Sequence, residues 1–283
     1  MANVALAQLR PSASATPLGR AAPTPAARDV SFHSASLGRS MKYRILLPAG
    51  YDRGDRHYPV LYLLHGLGGD YTNWDSRTRL REYVAGMALI VVMPDADDSW
   101  YVNSVAEPQN RFEDYIVKDL VTEIDTRYRT IATRRARAIA GLSMGGYGSV
   151  KIALKYSNLF VFAASLSGTL DVAHEDHNPR AGEKYHQLLL AILGPAGGAT
   201  WLANDVFALA GGQHPADFAY FWISCGTDDF LLESNRQFSA ALQQRKIPYT
   251  YIEAPGGHSW ALWDEELPAM LHEMSRHVDV AKP

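Results

Sequence analysis

Gly141-Leu142-Ser143-Met144-Gly145 stands between a strand-like, mostly apolar stretch, Ala136–Ala140, and a stretch with helical character, Tyr147–Lys155. The pattern G-x-S-x-G has a mechanical use at such a junction. A serine on a sharp strand-to-helix turn is lifted above the end of the strand, and flanking glycines remove the side chains that would collide there. The helix that follows aims its positive N-terminal end at the same place. As a bare pattern it is weak, since roughly 0.1 chance matches are expected in a chain of this composition. Its single occurrence between a strand and a helix is what gives it weight.

On both sides of this turn, strands and helices alternate. Val30–Leu37 and Met41–Leu47 read as paired strands, Val60–Leu64 as a short buried strand, and Leu89–Met93 as a strand stopped by Pro94. Arg77–Ala85 reads as a helix. Phe112, Tyr115, Ile116, Leu120, Ile124 and Tyr128 recur at spacings of three and four and predict a helix over Phe112–Tyr128. Beyond the turn come the strand Phe162–Leu166, the strand Tyr220–Cys225, the helix Glu233–Arg245, the strand Tyr249–Glu253 and the helix Leu262–His277. Such alternation predicts an α/β fold with a mainly parallel central sheet flanked by helices. Active sites in these sheets lie at the carboxyl ends of the strands.

A serine hydroxyl is a poor nucleophile at neutral pH and needs a base, which in turn needs an orienting acid. On this architecture the order is serine, acid, histidine, each on a loop after a strand. Gly226-Thr227-Asp228-Asp229 follows the strand Tyr220–Cys225, and Ala254-Pro255-Gly256-Gly257-His258 follows Tyr249–Glu253. Asp229 is assigned as the acid, with Asp228 its competitor, and His258 as the base. The tetrahedral oxyanion needs two donors. One is the backbone N–H of Met144. The other is expected from Leu67, in the glycine-rich loop His65-Gly66-Leu67-Gly68-Gly69 after Val60–Leu64.

With these loops placed, the chain resembles the esterase D-like branch of the α/β-hydrolases. That branch includes tributyrin esterases, S-formylglutathione hydrolases, feruloyl and acetyl-xylan esterases, and mycolyltransferases. The resemblance rests on Leu63-Leu64-His65-Gly66-Leu67-Gly68-Gly69 with Asn73-Trp74 downstream, Val91-Val92-Met93-Pro94, Gly141–Gly148, Cys225–Leu231 and Gly257-His258-Ser259-Trp260. It covers about Arg28 to the C-terminus and looks most like the small tributyrin-type carboxylesterases. Their triad acid occupies the fourth position of Gly-x-x-Asp, which supports Asp229. The resemblance implies hydrolysis of short acyl esters without a cofactor, and no metal site is expected. Carbohydrate-linked esterase and acyltransferase activities are the alternatives.

Composition bounds the rest. At ~150 residues per domain, 283 residues suggest about two domains, but residues 29–283 read as one catalytic domain. Much of the excess is a lid-like insertion at about 170–217, where the alternation lapses. Leu188–Leu193 and Trp201 in that stretch are candidates to line a pocket. Residues 1–28 read as a Pro- and Ala-rich tail or linker. Ala5-Leu6-Ala7 fits a signal-peptidase site, but no basic region and apolar stretch precede it, so cytoplasm and export stay evenly weighted. A formal charge of −3 argues against a nucleic-acid partner, and no apolar run approaches the ~18 residues of a membrane span. The expected partner is a small-molecule ester, with self-association left open. The lone Cys225 excludes an intrachain disulfide and a cysteine-rich zinc site. His174-Glu175-Asp176-His177 lacks metal-site spacing and reads as solvated loop. His65, Trp100, Tyr101 and Trp260 are the candidates for contacting substrate.

Overall fold

The computed structural model describes residues 24–172, 182–212 and 217–279. Within them an eight-stranded sheet runs in the order β1-β2-β4-β3-β5-β6-β7-β8. The strands are β1 (Ala27–Ser34), β2 (Arg39–Leu46), β3 (Val60–Leu64), β4 (Ile90–Pro94), β5 (Arg137–Leu142), β6 (Phe162–Leu166), β7 (Tyr220–Gly226) and β8 (Tyr249–Ala254). β1–β2 and β2–β4 pair antiparallel, and β3 to β8 pair parallel with one another. β3 through β6 are buried along their whole length, as expected of strands covered on both faces. Alternate residues divide between two cores. Val60, Tyr62 and Leu64 of β3 join one, with Ile139 and Val92; Leu61 and Leu63 join the other, with Ala138, Ala140 and Val91.

The expected architecture is present, with local differences. β1 begins at Ala27, inside the segment read as tail, because its ladder starts by pairing Ala27 with Leu46. The helix expected over Arg77–Ala85 is two short ones, α1 (Asn73–Arg77) and α2 (Leu80–Tyr83). Thr78 interrupts them: its backbone is extended, its hydroxyl donates to the Trp74 carbonyl, and it accepts from the Leu80 N–H. The Phe112–Tyr128 periodicity forms α3 (Phe112–Asp114), a π-helical stretch (Tyr115–Leu120) and α4 (Val121–Arg127). α5 (Met144–Lys155) begins directly after Ser143.

Between β6 and β7 lie α6 (Glu183–Leu193), α7 (Ala199–Asn204) and α8 (Val206–Ala210). Leu189, Ile192, Leu193 and Trp201 are buried, and the Trp201 indole N–H donates to the Gly194 carbonyl at 2.8 Å. Most of the apolar residues expected to line a pocket therefore pack within the fold. α9 (Leu232–Gln244) and α10 (Trp260–His277) complete the layers. The His174–His177 segment lies outside the described residues. No described helix is long and apolar enough to cross a membrane.

Candidate active site

Ser143 has φ 51° and ψ −118°, a conformation that L-residues rarely adopt. Its neighbours hold it there. The Ser143 N–H donates to Leu166 O of β6 at 3.0 Å, and Ser143 O accepts from Tyr147 at 3.0 Å and Thr169 at 3.3 Å. A side chain at 145 would bring Cβ 2.5 Å from Leu64 O and 2.6 Å from His65 O. Glycine there lets the first turn of α5 seat against the end of β3. Met144 is the first residue of α5, so its N–H has no acceptor one turn back in the helix.

His258 and Asp229 reach Ser143 from two other loops. His258 Nε2 lies 3.0 Å from Ser143 Oγ, and Nδ1 lies 3.0 and 3.2 Å from the two oxygens of Asp229. Ionised Asp229 can only accept, so the proton belongs on Nδ1 and Nε2 is left to accept from the serine. Asp229 is buried, whereas the competitor Asp228 is exposed. Burial pushes the Asp229 carboxyl up, but hydrogen bonds from His258, the Leu231 N–H and Ser167 outweigh it and hold it below the usual carboxylate range. The imidazole is flanked by Phe230, with ring centres 4.8 Å apart, and by the edge of Trp263 at 4.9 Å.

The loop after β3 faces the same point. Gly68 N–H donates to Asp98 Oδ1 at 2.6 Å and Gly69 N–H to Gly66 O at 3.0 Å, while Trp74 Nε1 donates to Leu64 O at 2.9 Å. The Leu67 N–H makes no hydrogen bond to any described residue, and its side chain is 43% exposed. A side chain at Gly66 would meet Leu142 and Ser143, so this loop lies directly on the serine turn.

Three of the four residues expected to contact substrate face inward instead. His65 is 1% exposed; its Nε2 accepts from the Ala96 N–H at 3.0 Å, leaving Nδ1 to donate to Gly66 O at 2.8 Å. Both ring nitrogens are used in shaping the loop. Trp100 is buried edge-on against Tyr147 and Tyr185. Tyr101 is wholly buried, and its hydroxyl donates to His65 O. Left-handed backbone at 100 and 101 turns both rings into the core. Trp260 is partly exposed at the start of α10, in edge contact with Trp74 and Trp263.

Phe230, Trp263 and Ser167 adjoin the site, although none was among the residues expected there. Ser167, also left-handed, donates its N–H to Ser224 O at 2.8 Å and accepts from Trp263 Nε1 at 3.1 Å. The signals were present but faint: an aromatic residue directly after the acid, and a serine just beyond the end of β6.

Residues 34–274 match the esterase family model, described as "Putative esterase". An esterase of Mycobacterium tuberculosis is 32% identical over 260 residues, 80% of this chain and 54% of the relative. The chain thus spans about half the length of that curated relative. An acetyl esterase of Caldicellulosiruptor saccharolyticus is 27% identical, with 89% of this chain and 98% of the relative aligned. Among solved structures, the substrate-bound fluorophosphonate-binding serine hydrolase F of Staphylococcus aureus superposes with a TM-score of 0.79 at 27% identity, covering 89% of this chain and 99% of that one. The sheet order, the strained serine turn and the extent of these matches lead to one conclusion: the chain belongs to the esterase family, on an α/β-hydrolase fold.

Proposed function

We propose that the protein is a serine carboxylesterase that hydrolyses short-chain acyl esters through an acyl-enzyme. The observation that carries this is the hydrogen-bonded line from Ser143 Oγ through His258 to buried Asp229. Ser143 attacks the ester carbonyl as His258 Nε2 takes its proton. Asp229 fixes the tautomer and stabilises the imidazolium. The N–H groups of Leu67 and Met144 receive the oxyanion; loss of one such donor typically costs about 3–4 kcal/mol of barrier. His258 then protonates the departing alcohol, and water activated by the same nitrogen releases the acid. The acetyl esterase relative supports a short acyl group.

The test is turnover of p-nitrophenyl esters from acetate to laurate, with wild type and Ser143→Ala. Wild type should favour the short end and label with a fluorophosphonate probe, and the variant should do neither. Labelling that persists in Ser143→Ala would overturn the assignment. Product analysis with added sugar acceptors separates hydrolysis from acyl transfer.

A further inference from the structure

We propose that Tyr101 is a positioning residue for the oxyanion site, locking the Leu67 loop and the serine turn together through the carbonyl of His65. The inference rests on the reading of Leu67 and Met144 as oxyanion donors. His65 O has two neighbours. It accepts from the Tyr101 hydroxyl at 2.9 Å, and it lies so close to Gly145 that a side chain there would come within 2.6 Å of it. Gly145 follows Met144, and His65 precedes Gly66-Leu67. One carbonyl therefore sits between the segments that supply the two donors, and the Tyr101 hydroxyl holds it.

Tyr101 is itself held at every polar group. Its N–H donates to Ser99 Oγ at 3.1 Å, and its carbonyl accepts from Lys151 Nζ. Lys151 is wholly buried and donates to Glu113 Oε2 at 2.7 Å. Glu113 also accepts from Lys155 at 2.7 Å and from the Tyr156 hydroxyl at 2.8 Å. Gly148 makes room for the Tyr101 ring, since a Cβ there would lie 2.5 Å from it. Consecutive left-handed residues at Trp100 and Tyr101, φ 55° and 56°, are costly for non-glycine residues and persist only where the surroundings over-determine them. A buried lysine–glutamate pair committed to one backbone carbonyl is such a surrounding. Nothing in the packing of the two rings requires the hydroxyl; its acceptor is the loop that carries Leu67.

The experiment compares wild type, Tyr101→Phe and Lys151→Met. Tyr101→Phe keeps the ring and removes only the bond to His65 O. Its kcat should fall by about tenfold, the scale of a weakened rather than lost oxyanion donor. KM should stay within about twofold, and affinity for 1-butaneboronic acid, which forms a tetrahedral adduct on Ser143, should fall by the same factor as kcat. The pH profile of kcat/KM should keep its shape, because His258 and Asp229 are untouched. Lys151→Met should show the same split if it folds; Tyr101→Phe decides the matter if it does not. The inference is overturned if Tyr101→Phe keeps kcat within twofold, if the loss falls on KM, or if boronate affinity does not follow kcat. Ser143→Ala run alongside separates the two levels. Turnover surviving in it defeats the esterase reading, whereas turnover abolished in it beside a wild-type Tyr101→Phe defeats only this inference.

Discussion

His258 Nε2 stands 3.0 Å from Ser143 Oγ although 115 residues separate them in the chain. The two residues follow β8 and β5, with β6 and β7 lying between those strands in the sheet. The histidine therefore reaches back across two strands, and Asp229, on the loop after β7, braces it along the way.

Asp229 and Asp228 are adjacent and chemically identical, so exchanging each for asparagine isolates geometry. Asp229→Asn should lower kcat by about 10⁴-fold, because an amide no longer enforces the Nδ1–H tautomer. Asp228→Asn, at an exposed carboxylate, should change kcat by less than about threefold. Steady-state kinetics on p-nitrophenyl acetate reads both, and the reverse order would exchange their roles.

Gly145→Ala should destabilise the fold by about 1–3 kcal/mol, the usual range for overpacking. The added methyl would sit 2.5 Å from Leu64 O, a backbone atom that cannot rotate away. Urea unfolding measures the loss. An unchanged midpoint would show that the end of β3 yields to a methyl group at 145.

Glu266 on α10 is buried, accepts from Ser224 Oγ at 2.9 Å, and leaves its second oxygen without a partner. Burial pushes its carboxyl up from 4.5 to about 7. A folded-state value above the unfolded one favours the folded form fully below about pH 4.5 and loses that advantage as pH rises through 7. Glu266→Gln removes the loss. Relative to wild type it should therefore gain about 3 kcal/mol between pH 4 and pH 9. Denaturation at the two pH values reads that difference, and any constant offset from the buried amide cancels. A flat difference would mean that Glu266 is ionised at little cost.

Phe230 is 65% exposed and rests against the His258 ring. On the proposed mechanism His258 delivers its proton to the leaving alcohol, so a group beside it borders that half of the ester. Phe230→Ala should raise KM for aryl esters by about three- to tenfold, the worth of one aromatic contact. It should shift KM for methyl esters little and leave stability within about 0.5 kcal/mol. Equal effects on aryl and methyl esters would place Phe230 outside the alcohol subsite.

Much of this was legible because it depends on local pattern. β3 and β4 are continuous apolar runs, and the serine turn, the acid loop and the histidine loop each follow a strand. Where side chains point was not legible. Trp100 and Tyr101 sit in a loop that borders the site in sequence, but their left-handed backbone sends both rings inward, and no residue type there announces it. His65 looked like a polar group facing substrate, yet the Ala96 N–H claims its Nε2, a contact across 31 residues. Trp201 in the insertion found a carbonyl seven residues away and packed inward. The helix over 77–85 was broken by a single threonine hydroxyl competing with the backbone. Each miss is a tertiary hydrogen bond or a rare φ overriding local preference.

Cys225 ends β7 one residue before the loop that carries Asp229, is fully buried, and has its thiol pushed up to about 12 by burial, with the nearby Asp229 charge adding to it. Only the thiolate reacts readily with oxidants and alkylating agents, so the one sulfhydryl beside the candidate site is chemically silent at physiological pH. Iodoacetamide should leave the proposed esterase turnover of the folded protein intact, and serine-directed probes can be used without first blocking thiols. The same inertness removes the thiol as a redox handle on this site.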